Sequence, residues 1–224
     1  STVSHELRTP LNAINGITYL LLQEKPKVSQ LNYLKSLEFS GNYLLNFIND
    51  ILEINRLESD KVVLEKINFN LPELTENIVT SFKEFIHENN IKCHLNIDKS
   101  INYNLKGDPT KLSQILINLL NNAIKFSKNG DVWCNIIKKS ETTNNVTLYF
   151  EIKDNGIGIP KDKQDAIFDS FSQGSVEINR TYGGTGLGLS IVKKILELMG
   201  SEIHLTSESG KGSAFSFELE FEKG

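Results

Sequence analysis

The sequence predicts two units in series: an all-α helical hairpin over residues 1–60, completed to a four-helix bundle when two copies associate, and an α+β two-layer sandwich over residues 61–224. Three observations predict this. Apolar residues recur at three- and four-residue intervals up to about residue 56. The pattern then changes after the polar stretch Glu58, Ser59, Asp60 and Lys61. Beyond it, strands come in neighbouring pairs with helices between them and no strict βαβ alternation, which predicts a mixed sheet with helices on one face.

In the first helix, to about residue 24, Leu7, Leu11, Ile14 and Leu21 form a coiled-coil seam, with Thr18 in the vacant position. Lys25 to Ser29 break it: Pro26 stops one helix and Ser29 can cap the next. Leu34, Leu37, Gly41, Leu44, Ile48 and Ile51 continue the rhythm along a second helix of roughly 40 Å. Two helices leave such a seam partly uncovered, so a homodimer through residues 1–60 is expected; docking of the hairpin on its own chain is the alternative.

The sandwich is expected to run as a strand over 62–69, a helix from Leu71 to about Asn89, a strand over 91–97 and a helix capped by Asp108 and ending near Phe126. Strands 131–138 and 146–153 follow, then a helix near 161–168, a loop, a helix over about 186–199, and strands near 201–207 and 213–221.

Charge excludes some functions. With 24 Lys plus Arg against 28 Asp plus Glu, the net charge is −4, and no run of five like charges occurs. The chain lacks the electrostatic footprint for nucleic acid or an anionic membrane surface. Its longest apolar run, Tyr19 to Leu22, cannot span a bilayer. Cys93 and Cys134 have no metal-site spacing and read as reduced, buried residues of a cytoplasmic chain.

Familiar nucleotide signatures fail in turn. Gly184, Gly186 and Gly188 are followed by Leu189, so the dinucleotide fingerprint is broken; Gly210-Lys211 leads to Gly212, so there is no P-loop; neither HRD nor DFG occurs. Four other features carry chemistry. Val146, Leu148, Phe150 and Ile152 form an apolar strand row that ends on Asp154, followed by Asn155-Gly156-Ile157-Gly158. This is either a simple turn or a carboxylate buried for a ligand, with glycines that leave room for it. Beside the core stripe Leu112, Ile115, Leu116, Leu119 and Ala123 lies a polar stripe of Asn118, Asn122 and Lys125. It is either a solvated face or a set of amide oxygens for Mg²⁺ with a lysine for phosphate. The loop from about Ser172 contains Arg180 and ends in Gly183-Gly184-Thr185-Gly186-Leu187-Gly188. It is either an ordinary connection or a lid feeding an anion-binding helix N-terminus. Finally, His5 and Thr9 lie one turn apart outside the seam, with Pro10 expected to bend the helix next to them.

The run Ser4-His5-Glu6-Leu7-Arg8-Thr9-Pro10-Leu11-Asn12 closely resembles the H box of two-component sensor histidine kinases. Residues 118–126 resemble that family's N box, 154–160 its first glycine box, Phe168-Asp169-Ser170-Phe171 its F box and Gly184 to Gly188 its second glycine box, all in order. The resemblance implies a dimerisation and histidine-phosphotransfer hairpin followed by an ATP-binding domain of the GHKL (Bergerat) type. It implies that Asp154 accepts the adenine amino group, that Asn122 and Asn118 hold Mg²⁺, that Lys125 and Arg180 meet phosphate and that Phe126 lines the base pocket. Gly156, Gly158, Gly184, Thr185, Gly186, Leu187 and Gly188 complete the ATP site by the same resemblance, with Phe168 and Phe171 positioning the lid, touching the hairpin or packing in the core. Thr181 departs from the pattern, standing where relatives often carry a second basic residue.

The activity so implied is autophosphorylation of His5 by ATP, with Glu6 orienting the ring, then transfer to an aspartate of a response-regulator receiver domain, in trans or further along a hybrid kinase. Thr9 could add a phosphatase activity by orienting water. Residues 58–61 are hinge candidates. Only three residues precede Ser4, so an excised core is expected, its upstream sensor domain and any membrane anchor lying outside this chain. Two alternatives stand beside this: a dimeric ATP-binding scaffold without kinase activity, and a plain GHKL ATPase.

Overall fold

A computed structural model describes residues 2–58, 62–170 and 185–224, without the side chains of residues 2–5. Helix α1 (Thr2–Gln23) runs through Pro10 uninterrupted, and α2 (Val28–Leu57) returns antiparallel to it. Ser29 is not the cap: α2 starts one residue earlier, and the Gln30 side chain accepts from the Lys27 N–H at 3.0 Å. Arg8 donates to Asn49 at 2.9 Å and Asn15 to Asn42 at 3.0 Å, which fixes one register along the whole hairpin. Facing the Asn15 pair is Gly41, where a Cβ would stand 1.8 Å from Asn15 Oδ1, so the amide fills a notch in α2. That oxygen is buried and makes no hydrogen bond among the described residues. Of the seam, Leu11, Thr18 and Gly41 are buried within the single chain. Leu7, Ile14, Leu21, Leu37 and Leu44 remain 46–49% exposed.

The second unit is a mixed sheet with helices on one face. Its strands are β1 (Ile67–Phe69), β2 (Lys92–Ile97), β3 (Leu105–Gly107), β4 (Asp131–Glu141), β5 (Asn145–Asp154), β6 (His204–Glu208) and β7 (Gly212–Lys223). The order is β1-β3-β7-β5-β4-β2, with β6 pairing the start of β7. Among the described residues only the β2–β4 pair is parallel. Alternation decides the inner face: Val146, Leu148, Phe150 and Ile152 of β5 and Phe215, Phe217, Leu219 and Phe221 of β7 are buried, as are Val132, Cys134 and Ile136 of β4. They pack under α3 (Leu71–Ser81), α5 (Pro109–Phe126) and α6 (Gly188–Leu198). Asp108 caps α5 as expected, its Oδ1 accepting from Lys111 N–H at 2.9 Å.

Several expected elements differ. The strand expected over 62–69 is only Ile67–Phe69, because the Glu65 N–H bonds Asp108 Oδ2 at 3.0 Å instead of a neighbouring strand. The helix expected over 71–89 is two, α3 and α4 (Lys83–Glu88), parted at Phe82 where Ser81 Oγ bonds back to the Ile78 carbonyl at 2.7 Å. The helix near 161–168 is a pair of 3₁₀ turns, Lys161–Lys163 and Ala166–Phe168. Between them Gln164 ties the segment down, donating to the carbonyls of Ile159 and Ser207 at 2.9 and 3.0 Å. Strand β3 is an element beyond those expected, and β6 begins at His204 rather than 201. Gly200, at φ +74°, turns the chain there while Ser201 N–H returns to the Leu196 carbonyl.

The hairpin also rests on its own chain, through the end of α2 and a face other than most of the seam. Ile54 and Leu57 are buried in the core of the second unit, with Phe47 and Ile51 packed against it. Polar contacts surround them: Lys111 Nζ to Glu53 Oε1 at 2.6 Å, Lys194 to Glu58, and Thr185 Oγ1 to Asp50 Oδ2 at 2.6 Å.

Candidate ATP site

The apolar row of β5 ends in a buried carboxylate, as its spacing predicts: Asp154 is 6% exposed. Its Oδ1 accepts from the Gly156 N–H at 2.8 Å. Burial pushes its carboxyl above the ordinary value, against the backbone N–H groups of Gly156 and Ser213 and the Ser127 hydroxyl, which favour the charged form. Ser127 Oγ is buried, yet it has no partner in good hydrogen-bond geometry among the described residues. A carboxylate with capacity to spare beside an orphaned hydroxyl fits a ligand that brings both a donor and an acceptor.

The glycines that follow also meet the chain itself. A Cβ at Gly156 would stand 2.1 Å from the Phe126 carbonyl oxygen, and one at Gly158, whose φ is +64°, 2.0 Å from that of Glu208. They let the turn press against the chain itself, and that closeness brings Asp154 to the end of α5. The Ile157 N–H closes the junction on the Phe126 carbonyl at 3.3 Å.

Helix α5 links both ends of the site. Its core stripe is buried, and Asn118, Asn122, Lys125 and Phe126 are half-buried beside it. Asn118 Nδ2 donates to the Gln114 carbonyl at 3.0 Å, so its Oδ1 is the atom directed outward; a Cβ on Gly188 would lie 2.9 Å from that oxygen. The first turn of α6 therefore meets the middle of α5, while the Asp154 turn meets its end. From Asn118 to Phe126 is eight residues, about 12 Å along the axis. Burial lowers the Lys125 ammonium from its ordinary value, and its Nζ lies 4.8 Å from the Phe126 ring centre.

Among the described residues no group of three or more His, Cys, Asp or Glu side chains could hold a metal. The donors that fit are the asparagine amide oxygens, hard ligands that suit Mg²⁺ when phosphate and water complete its shell. Thr185 Oγ1 accepts from the Leu187 N–H at 3.3 Å while donating to Asp50, and Leu187 is fully buried. Arg180, Gly184 and Phe171 lie outside the described residues, as do hinge candidates 59–61. Phe168 packs edge-to-face on Phe215, centroids 6.3 Å apart, which is the core role of those weighed for it. A separate cavity of about 600 Å³ lies between Leu64–Lys66, Lys106–Asp108 and the end of β7, away from Asp154. Its Lys66 and Lys106 are both paired with Glu222, at 2.8 and 3.5 Å.

On α1, Glu6 and Thr9 are exposed, and the helix carries His5, whose side chain is outside the description. The register set by Arg8–Asn49 and Asn15–Asn42 places residue 5 opposite Leu52, between Asp50 and Glu53, two α2 residues with polar contacts to the second unit. Sequence patterns single out neither Ser127 nor Asp50; the first is an ordinary helix-ending serine and the second one of three acids on α2, with Glu38 and Glu53.

Comparison with known proteins shows the family. Residues 107–223 match the family of histidine kinase-, DNA gyrase B-, and HSP90-like ATPases, and residues 1–60 match the His Kinase A (phospho-acceptor) domain. The chain belongs to the sensor histidine kinases. This kinase core is 39% identical over 219 residues to the signal transduction histidine-protein kinase BarA of Escherichia coli K12, covering 98% of the chain and 24% of BarA. It is 39% identical over 223 residues to the sensor histidine kinase GacS of Pseudomonas protegens, covering 100% of the chain and 24% of GacS. The chain thus spans about a quarter of the length of these curated relatives. Among solved structures, full-length ShkA in complex with AMPPNP superposes with a TM-score of 0.80 at 30% identity, covering 100% of this kinase core and 45% of ShkA. ThkA in complex with the response regulator protein TrrA gives 0.64 at 27% identity, covering 100% of this core and 60% of that chain. Among the described residues no helix is long and apolar enough to cross a membrane.

Proposed function

We propose that this chain moves the terminal phosphoryl group of ATP to His5, and that the phosphohistidine then passes it to an aspartate of a response-regulator receiver domain. The observation that carries this reading is a shared level: Thr185, at the start of α6, bonds Asp50 of α2, and the hairpin register sets residue 5 opposite Leu52. The phosphate end of the site and the acceptor helix therefore meet at one height of the hairpin.

In this reading Asp154 accepts the adenine amino group, Ser127 supplies a second polar contact and Phe126 lines the base pocket. The second glycine box, Gly184 to Gly188, with Lys125 and Arg180, holds phosphate. Asn122 and Asn118 would hold Mg²⁺ through their amide oxygens; when bound, the ion supplies positive charge against the triphosphate. The neutral imidazole of His5, with a reference pKa near 6.5, attacks phosphorus in line; the N–P bond forms as the bond to ADP breaks. Glu6 accepts the other ring N–H and favours the imidazolium that develops. Thr9, one turn along, orients a water against the phosphorylated receiver, a phosphatase role. Chemistry beyond this is positioning.

The half-exposed seam residues Leu7, Ile14, Leu21, Leu37 and Leu44 support a homodimer, in which a second copy buries them in a four-helix bundle. The receiver is supplied in trans or by a longer hybrid chain, and the setting is cytoplasmic; the ThkA–TrrA complex supports a receiver as partner. Incubation with γ-labelled ATP tests the reading. Acid-labile, alkali-stable label on the protein, absent in His5→Ala and passed on to an added receiver domain, is the expected result. Released phosphate with unlabelled protein would refute it.

A further inference from the structure

The contact between Thr185 and Asp50 bears on how nucleotide is admitted, given the ATP site proposed above. Thr185 stands in the second glycine box; its hydroxyl accepts from the Leu187 N–H at 3.3 Å and donates to the Asp50 carboxylate at 2.6 Å. Leu187 precedes α6, whose start has no side-chain cap and adjoins Asn118 Oδ1. A carboxylate carried in by the hairpin is thus bonded to Thr185, whose own hydroxyl holds the N–H just before the helix start that a terminal phosphate would use. Nearby Glu53 adds a second negative charge, although that one is matched by Lys111. Two anions cannot share one hydroxyl donor, and a triphosphate brings several charges to the same place.

We propose that Asp50 competes with the terminal phosphate of the nucleotide for Thr185 and the start of α6, so that triphosphate binding and seating of the α2 end oppose each other. Asp50 is then a positioning residue that acts through Thr185 and touches no reacting atom. Linkage makes the effect reciprocal: the factor by which the seated carboxylate weakens phosphate binding is the factor by which nucleotide weakens its seat. Only the phosphate tail feels it, since the base end at Asp154 lies at the other end of the α5 span. Ile54, Leu57 and the Glu53–Lys111 and Glu58–Lys194 pairs hold α2 independently, so neutralising Asp50 leaves the hairpin docked.

Titration calorimetry of the 224-residue chain with a non-hydrolysable ATP analogue and, separately, with adenosine tests this in wild type, Asp50→Asn and Asp50→Glu. The asparagine keeps an acceptor for Thr185 and removes the charge. We expect about tenfold tighter analogue binding in Asp50→Asn, unchanged adenosine binding, and wild-type behaviour in Asp50→Glu. Hydrogen exchange over residues 47–57 should quicken when wild type binds the analogue. Equal analogue affinity in wild type and Asp50→Asn, or the same gain for adenosine, would overturn the competition while leaving the ATP site standing. Wild type that binds neither compound would overturn the ATP site itself and this inference with it.

Discussion

Replacing Asp154 by Asn should separate nucleotide binding from folding. The carboxylate is 6% exposed, and its Oδ1 takes the Gly156 N–H at 2.8 Å. An asparagine oxygen can keep that bond, but its NH₂ then replaces the second carboxylate oxygen and presents a donor to the donating adenine amine. What is lost is a hydrogen bond to a charged group, about 1.5–3 kcal/mol. At about 1.4 kcal/mol per tenfold, the analogue should bind roughly ten- to a hundredfold more weakly by calorimetry. Stability should move the other way or stay put. Burial raises the Asp154 pKa above its ordinary 3.8, so the ionised carboxylate weakens the fold above the raised pKa, and this effect vanishes below the ordinary value. Asparagine removes that cost, and the melting temperature should hold or rise. An unchanged dissociation constant in a well-folded Asp154→Asn protein would refute the assignment of this carboxylate to the base.

Other outcomes follow from the same geometry. Nucleotide affinity of the wild type should fall on acidification as pH drops through the raised pKa of Asp154, which is above 3.8, and Asp154→Asn should lack this inflection. Gly158→Ala should destabilise the fold by about 2 kcal/mol or more in denaturant titration, since φ is +64° and the new Cβ meets the Glu208 backbone oxygen at 2.0 Å. Ile54→Ala, at a site 9% exposed, should cost about 2–5 kcal/mol of docking at the α2 end, read as faster hydrogen exchange over residues 47–57 with the sheet's exchange unchanged. Cys134, its thiol pushed up to about 12 by burial with Cys93 adding, should resist alkylation at pH 8 until the protein is unfolded.

Where one face of an element meets the core, its residues announce it. The β5 row ending on Asp154 and the α5 stripe beside Asn118 and Asn122 are legible because their periods are unbroken and every apolar member is buried. Residues 62–66 read as strand from composition, but a carboxylate 43 positions away takes the Glu65 N–H. The break at Phe82 depends on a serine bonding backward, which no proline or glycine advertises. Gly156 and Gly158 are legible as a turn, but their close approach to the Phe126 and Glu208 carbonyls is not, since those atoms come from distant parts of the chain. Least legible is the bond joining Thr185 to Asp50 across 135 residues, which only the docking of α2 creates.

The amide of Asn15 seated against Gly41 keys one helix of the hairpin to the other, with its partner bond to Asn42 beside it. A piston-like slip of α1 along α2 would drive that amide out of its seat and against residues that carry side chains. Motion imposed on the amino-terminal helix must therefore travel as a twist or lean of the pair together, and the carboxyl end of α2, already wedged into the sheet domain by Ile54 and Leu57, is where such a twist would be felt.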